Sequence, residues 1–127
     1  MLALGVASFG HFRGTHYQNE KDNGPYIERI QHGDLPIARG MALTDDDRLI
    51  REFILLMKLG QIDAAYFQQK FGVDIFARFA EPLRHHAAEG YLTCDDRDVT
   101  LTRQGLLRVD ELLHEFFRPE HRHARYT

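Results

Sequence analysis

Thr44-Asp-Asp-Asp-Arg-Leu-Ile-Arg-Glu-Phe-Ile-Leu-Leu-Met-Lys-Leu-Gly60 carries the clearest periodicity in the chain. Leu49, Ile50, Phe53, Ile54 and Met57 recur at spacings of three and four, which gives a helix one buried face. Thr44 is an N-cap candidate, and Asp45, Asp46 and Asp47 set negative charge against the positive end of the helix dipole. No carboxylate or histidine sits a helical turn away to complete a metal site, so the three aspartates read as capping. Gly60 closes the helix.

Downstream, Asp63 caps a segment from Ala64 to Phe71 that Gly72 ends. Asp74 caps a third helix from Ile75 to about Glu89, with Ile75, Phe76, Phe79, Leu83 and Ala87 on its apolar face. Pro82 lies inside that pattern and predicts a bend or break beside it. Tyr91–Asp95 and Val99–Thr102 are two β-rich runs joined by the turn chemistry of Asp95-Asp-Arg-Asp98, which predicts a hairpin. Thr102 caps a last helix, Arg103 to Phe117, that Pro119 stops. Glu120–Thr127 is a basic, aromatic tail. Three helices, a hairpin and a packing helix predict a winged-helix-like domain over 44–127.

Upstream, Leu2, Leu4 and Val6 alternate with small residues and predict a strand over Leu2–Phe9, followed by a glycine-punctured loop bearing His11, Arg13, His16, Tyr17 and Asn19. Pro25 starts a short helix through Tyr26, Ile27 and Ile30 to about Gln31, and Gly33 stops it. Ile37–Leu43 is extended or irregular. Residues 1–43 therefore form a first region of strand, loop and connecting helix. The fold class is α+β, mainly helical.

Composition narrows the function. The 127 residues carry 43% hydrophobic and 28% charged side chains, enough for a real core. A net charge of -3 argues against a dedicated nucleic-acid binder. One cysteine, Cys94, excludes an intrachain disulfide and fits a reducing, cytoplasmic setting. No apolar run is long enough to span a bilayer, and Met1 is not followed by the basic and apolar regions of a secretory signal. Repeats and low-complexity stretches are absent.

Gly5-Val-Ala-Ser-Phe9, Gly14, Tyr17-Gln-Asn19, Arg39-Gly-Met-Ala-Leu-Thr-Asp-Asp46, Arg51 and Leu101-Thr-Arg-Gln-Gly-Leu-Leu107 together resemble the C-terminal third of the oxygen-independent coproporphyrinogen III oxidase-like (HemN-type) family. That family comprises radical S-adenosylmethionine (SAM) enzymes and relatives that include heme chaperones. The resemblance implies that Leu2–Phe9 ends a radical SAM barrel and that 44–127 is the family's C-terminal domain. It also implies a longer protein in which a 4Fe–4S cluster on a CxxxCxxC motif cleaves SAM, and the radical takes hydrogen from a porphyrinogen propionate. A thiolate-held cluster needs at least three cysteines, so Cys94 cannot hold one here. The chain then acts as a lid or accessory part, not catalytic alone, and its first partner is an N-terminal barrel. Gly5, Ser8 and Phe9 would face SAM once that barrel is present. His11, Arg13, His16 and Tyr17 are candidates for a tetrapyrrole, since arginine binds a carboxylate with two hydrogen bonds.

Other features read as structural. His85 and His86 are sequence neighbours, about a hundred degrees apart on a helix, and do not share a face, so no metal site is assigned to them. Cys94 has no activating neighbour and reads as a small strand residue. His121 and His123 belong to the tail. An alternative function is a stand-alone winged-helix interaction module. In that case Arg78, Arg84, His85 and His86 on the third helix and Arg97 on the wing would meet DNA, but Asp95, Asp96 and Asp98 at the wing tip repel phosphate. A protein partner fits better, including a homodimer through the unpaired N-terminal strand.

Overall fold

The computed structural model describes residues 2–121. It is a mixed α/β chain, about half helical, with two small antiparallel sheets. The chain divides into two compact units, Met1–Arg48 and Leu49–Thr127.

The first unit is built on strands β1 (Phe9–Phe12), β2 (Thr15–Asn19) and β3 (Ile37–Ala42), in the order β1-β2-β3 with both pairs antiparallel. Helix α1 (Asn23–Gln31) lies between β2 and β3 in sequence. The expected strand Leu2–Phe9 is corrected here: Leu2, Ala3 and Leu4 have no regular structure, and only Phe9 belongs to a strand. Gly5 at φ 91 and Ala7 at φ 57 take left-handed backbone, which interrupts any extended run before Phe9. The expected loop is instead a tight hairpin. Phe12 pairs with Thr15 across Arg13-Gly14, whose φ values of 47 and 78 are those of a type I′ turn. Ile37–Ala42, expected to be extended or irregular, is the third strand.

The second unit begins within helix α2 (Asp45–Met57). Its cap is reciprocal. The Asp47 backbone N–H donates to Thr44 Oγ1 at 3.2 Å, and the Asp47 carboxylate accepts from the Thr44 N–H at 2.9 Å. Strand β4 (Gln61–Asp63) follows, then α3 (Ala64–Phe71), α4 (Ile75–Arg78) and α5 (Ala80–Ala88). Asp63 and Asp74 accept backbone N–H groups as caps, and Gly72 ends α3 at φ 67. The third expected helix does break, but at Phe79 and not beside Pro82. Pro82 falls in the first turn of α5, where a missing N–H deprives the helix of no hydrogen bond.

Strands β5 (Leu92–Cys94) and β6 (Asp98–Leu101) form the expected hairpin, and β4 adds to it in the order β4-β6-β5. The Asp95 carboxylate accepts the backbone N–H groups of Arg97 and Asp98, both at 2.8 Å, and so builds the turn. The last helix is broken rather than continuous. Helices α6 (Arg103–Leu107) and α7 (Val109–Leu112) meet at Arg108, and a 3-10 turn runs from Leu113 to Phe116.

Among the described residues, every fully buried large apolar side chain lies between Leu49 and Phe116. Phe53, Met57, Ile62, Phe67, Ile75 and Val99 are wholly inaccessible, each contributing about 1.5–3 kcal/mol by burial. Phe53 is the hub: its ring meets Phe67 at 5.8 Å, Phe79 at 4.4 Å and Phe116 at 5.0 Å between centroids. The first unit has no such core. Its buried side chains are Gln18, Asn19 and Pro36, while Leu2, Leu4, Phe12, Ile27, Ile30, Leu35 and Met41 are each more than half exposed. The basic tail beyond His121, with His123 in it, lies outside the described residues.

Candidate functional site

Antiparallel register sorts the residues of the first unit onto two faces. Phe9, His11, His16 and Gln18 share one face with Arg39 and Met41, because His11 pairs with His16, His16 with Met41 and Gln18 with Arg39. The Phe9 and His16 rings stack at 5.6 Å and 16°. Arg39 Nε donates to Gln18 Oε1 at 2.8 Å, and Gln18 Nε2 donates to the Ala7 carbonyl at 3.2 Å. A flat π-surface therefore lies on the same face as a fixed guanidinium and two imidazoles, a pattern that suits a planar ligand with anionic edges.

Not every expected residue joins this face. Tyr17 lies on the other one, where its ring covers Gly10; a Cβ on Gly10 would collide with that ring. The Tyr17 hydroxyl accepts the Ala3 N–H at 3.0 Å, so Tyr17 pins the N-terminal segment to the sheet. Arg13 occupies the hairpin turn with its guanidinium over the Phe12 ring at 5.4 Å, and Phe12 is also on the far face. The polar groups of Gly5 and Ser8 are engaged internally. Gly5 donates to Tyr26 Oη at 3.2 Å and accepts from Asn19 Nδ2 at 3.0 Å, and Ser8 Oγ donates to the Leu4 carbonyl at 2.6 Å. Of the three residues expected to face SAM, Phe9 leaves its ring 38% exposed. The sequence reading missed Gln18, Arg39 and Met41. Their signal was the two-residue period of β2 and β3, invisible until the pairing of those strands is known.

A second polar cluster lies in the second unit. His86 on α5 is 2% exposed, and neither ring nitrogen makes a well-formed hydrogen bond, though the backbone of Leu112 is within reach of the ring. Leaving a buried polar atom unsatisfied costs about 1–3 kcal/mol. Its Nε2 is 3.7 Å from Glu115 Oε2. The exposed neighbour His85 places Nδ1 3.0 Å from the same oxygen, and its Nε2 3.8 Å from Glu89. The hydrogen bond to Glu115 holds His85 above the ordinary imidazole range, whereas burial pushes His86 below it. As their separation on the helix requires, His85 is exposed and His86 is buried, yet both converge on Glu115. The convergence needs Glu115, thirty positions from His85 and brought in by the 3-10 turn after α7, which no local spacing reveals.

Cys94 is exposed on β5, and partial desolvation of its sulfur pushes the thiol pKa up, as does the neighbouring Asp95. That opposes thiolate chemistry. One cysteine cannot supply the ligands of a 4Fe–4S cluster, so the residues present do not fit that group.

The fold and these motifs define a family. Residues 43–108 match the HemN C-terminal domain, and the chain belongs to that family. It is 31% identical over 119 residues to the oxygen-independent coproporphyrinogen III oxidase of Helicobacter pylori, covering 91% of this chain and 26% of that protein. It is 28% identical over 114 residues to the enzyme of the same name from Pseudomonas aeruginosa, covering 86% and 25%. Among solved structures, it matches coproporphyrinogen III oxidase (HemN) from Escherichia coli, described as a radical SAM enzyme, with a TM-score of 0.74 at 24% identity, covering 89% of this chain and 27% of that one. The chain thus spans about a quarter of the length of the relatives it matches. Among the described residues, no helix is long and apolar enough to cross a membrane.

Proposed function

We propose that these residues work as the C-terminal part of a cytoplasmic radical SAM protein of the coproporphyrinogen oxidase kind, acting in tetrapyrrole metabolism and not catalytic alone. The observation that carries this is the first unit's lack of an apolar core. A unit that buries Gln18 and Asn19 yet exposes Leu2, Leu4, Ile27, Leu35 and Met41 is built to be covered by other protein. The cover in this reading is an N-terminal radical SAM barrel, which brings the cluster cysteines and SAM. Phe9 packs its ring on SAM, with Gly5 and Ser8 shaping the backbone of the approach. His11, His16 and Arg39 meet the carboxylates of a tetrapyrrole, and Arg13 and Tyr17 hold the hairpin that carries them.

The functional boundary falls at 43/44, where Thr44 caps α2. The second unit is a winged helix in this reading, supported by its order helix–strand–helix–helix–helix–strand–strand and the sheet β4-β6-β5. It serves as a lid, since excluding water protects reactive intermediates.

The test is a chimera in which these 127 residues replace the matching quarter of the Helicobacter pylori enzyme. It should release 5′-deoxyadenosine and consume coproporphyrinogen, and Phe9→Ala should cut both at least tenfold. A chimera that folds and loads its cluster but turns over neither SAM nor porphyrinogen would refute the reading. A second reading is favoured by the outer edges of β1 and β3, which pair with no strand among the described residues. A homodimer joined along such an edge would appear as a doubled mass in sedimentation.

A further inference from the structure

We propose that His85, His86 and Glu115 form a site for a divalent transition metal of the zinc class. His86 is the deciding residue, because an ion pair between His85 and Glu115 leaves this buried ring aimed at the same carboxylate without a well-formed hydrogen bond. The three ligand atoms all lie within 4.8 Å of one another. Two separations bracket the spacing a shared ion needs, the hydrogen-bonded 3.0 Å from His85 Nδ1 to Glu115 Oε2 and 3.7 Å from His86 Nε2 to the same oxygen. Ligands at about 2.0–2.2 Å from a tetrahedral zinc stand roughly 3.4 Å apart. Two imidazoles and one carboxylate select zinc, copper or nickel over magnesium or calcium.

The supports are rigid. His85 and His86 are fixed by α5, and Glu115 by the 3-10 turn whose neighbour Phe116 is buried against Phe53 and Phe79. Beside the cluster is a cavity of about 210 Å³ lined by Glu81, Pro82, His85 and Glu115. It leaves the fourth coordination position to water or to the Glu81 carboxylate, so the ion is exchangeable and accessible to a ligand. Such three-ligand sites with an open position differ from the closed four-ligand sites that only brace a fold.

The experiment uses the full chain, stripped with a chelator, and titrates Zn²⁺ alone against a chromophoric competitor. One ion should bind per chain, with a dissociation constant on the order of 1 μM or tighter. His85→Ala and Glu115→Gln, both at accessible positions, should each weaken binding at least tenfold. His86→Phe should abolish it while keeping the core filled. Co²⁺ should give a visible d–d band in the parent chain that Glu115→Gln loses. Zn²⁺ should also raise the melting temperature of the parent chain but not of Glu115→Gln. Absence of saturable binding would overturn the proposal. So would binding that survives His85→Ala and Glu115→Gln, or that disappears with His121→Ala/His123→Ala.

Discussion

Gly105 stands in the first turn of α6, and its N–H donates to the capping Thr102 hydroxyl at 3.1 Å. A Cβ there would lie 2.8 Å from the Tyr91 carbonyl carbon and closer still to its oxygen. That oxygen already accepts the Thr102 N–H at 3.0 Å, so the obstacle is backbone held by its own hydrogen bond and cannot swing aside. Overpacking of this kind costs about 1–3 kcal/mol. Weakening the Tyr91–Thr102 bond adds about 1 kcal/mol, and the better helix propensity of alanine returns about 1 kcal/mol. Gly105→Ala should therefore destabilise the second unit by about 2 kcal/mol, a fall of roughly 10 °C in melting temperature for a unit of this size. Thermal and urea melts followed by circular dichroism measure it. The control is Gly24→Ala in α1, where a Cβ meets nothing within 4 Å and stability should hold or rise slightly. A Gly105→Ala chain that melts at or above the parent would refute the packing account of this glycine.

Phe53→Ala should cost about 3–5 kcal/mol and leave the second unit partly unfolded at 37 °C, seen as lost near-ultraviolet ellipticity, since three rings lose their common partner. The backbone N–H groups of Arg97 and Asp98 hold Asp95 below the ordinary carboxylate range. A depressed folded pKa stabilises above the unfolded value of about 3.9 and is lost as pH falls through the folded one. The stability gap between parent and Asp95→Asn should therefore shrink below pH 4 in urea titrations; a gap constant down to pH 2 would contradict the assignment. Arg13→Asn creates the Asn-Gly pair that type I′ turns favour and should slow hydrogen exchange in β1 and β2 by several-fold.

The second unit was largely legible in the sequence because local signals and packing agree there. Asp63, Asp74 and Thr102 cap where the sequence places them, and the Leu49–Met57 stripe is buried as its spacing requires. Strand β4 went unseen because three residues carry no period, and its identity depends on pairing with β6. The first unit misled. Alternation in Leu2, Leu4 and Val6 imitates a strand, but strands need partners, and the pairing begins only at Phe9. Of the candidate site, His11 and His16 were named from their chemistry and Phe9 from the family resemblance. Arg39 and Gln18 required the register, and the His85–His86–Glu115 cluster required the tertiary fold.

The hub at Phe53 has a consequence for synthesis. Phe116 closes the ring cluster from well downstream of Phe53, so a nascent chain that has emerged only through the β5–β6 hairpin still lacks one wall of its core. Helix α2 must wait, its apolar face exposed, until Phe116 has left the ribosome. Premature termination ahead of Phe116 would thus release a chain with an open core, a substrate for proteases rather than a shortened functional domain.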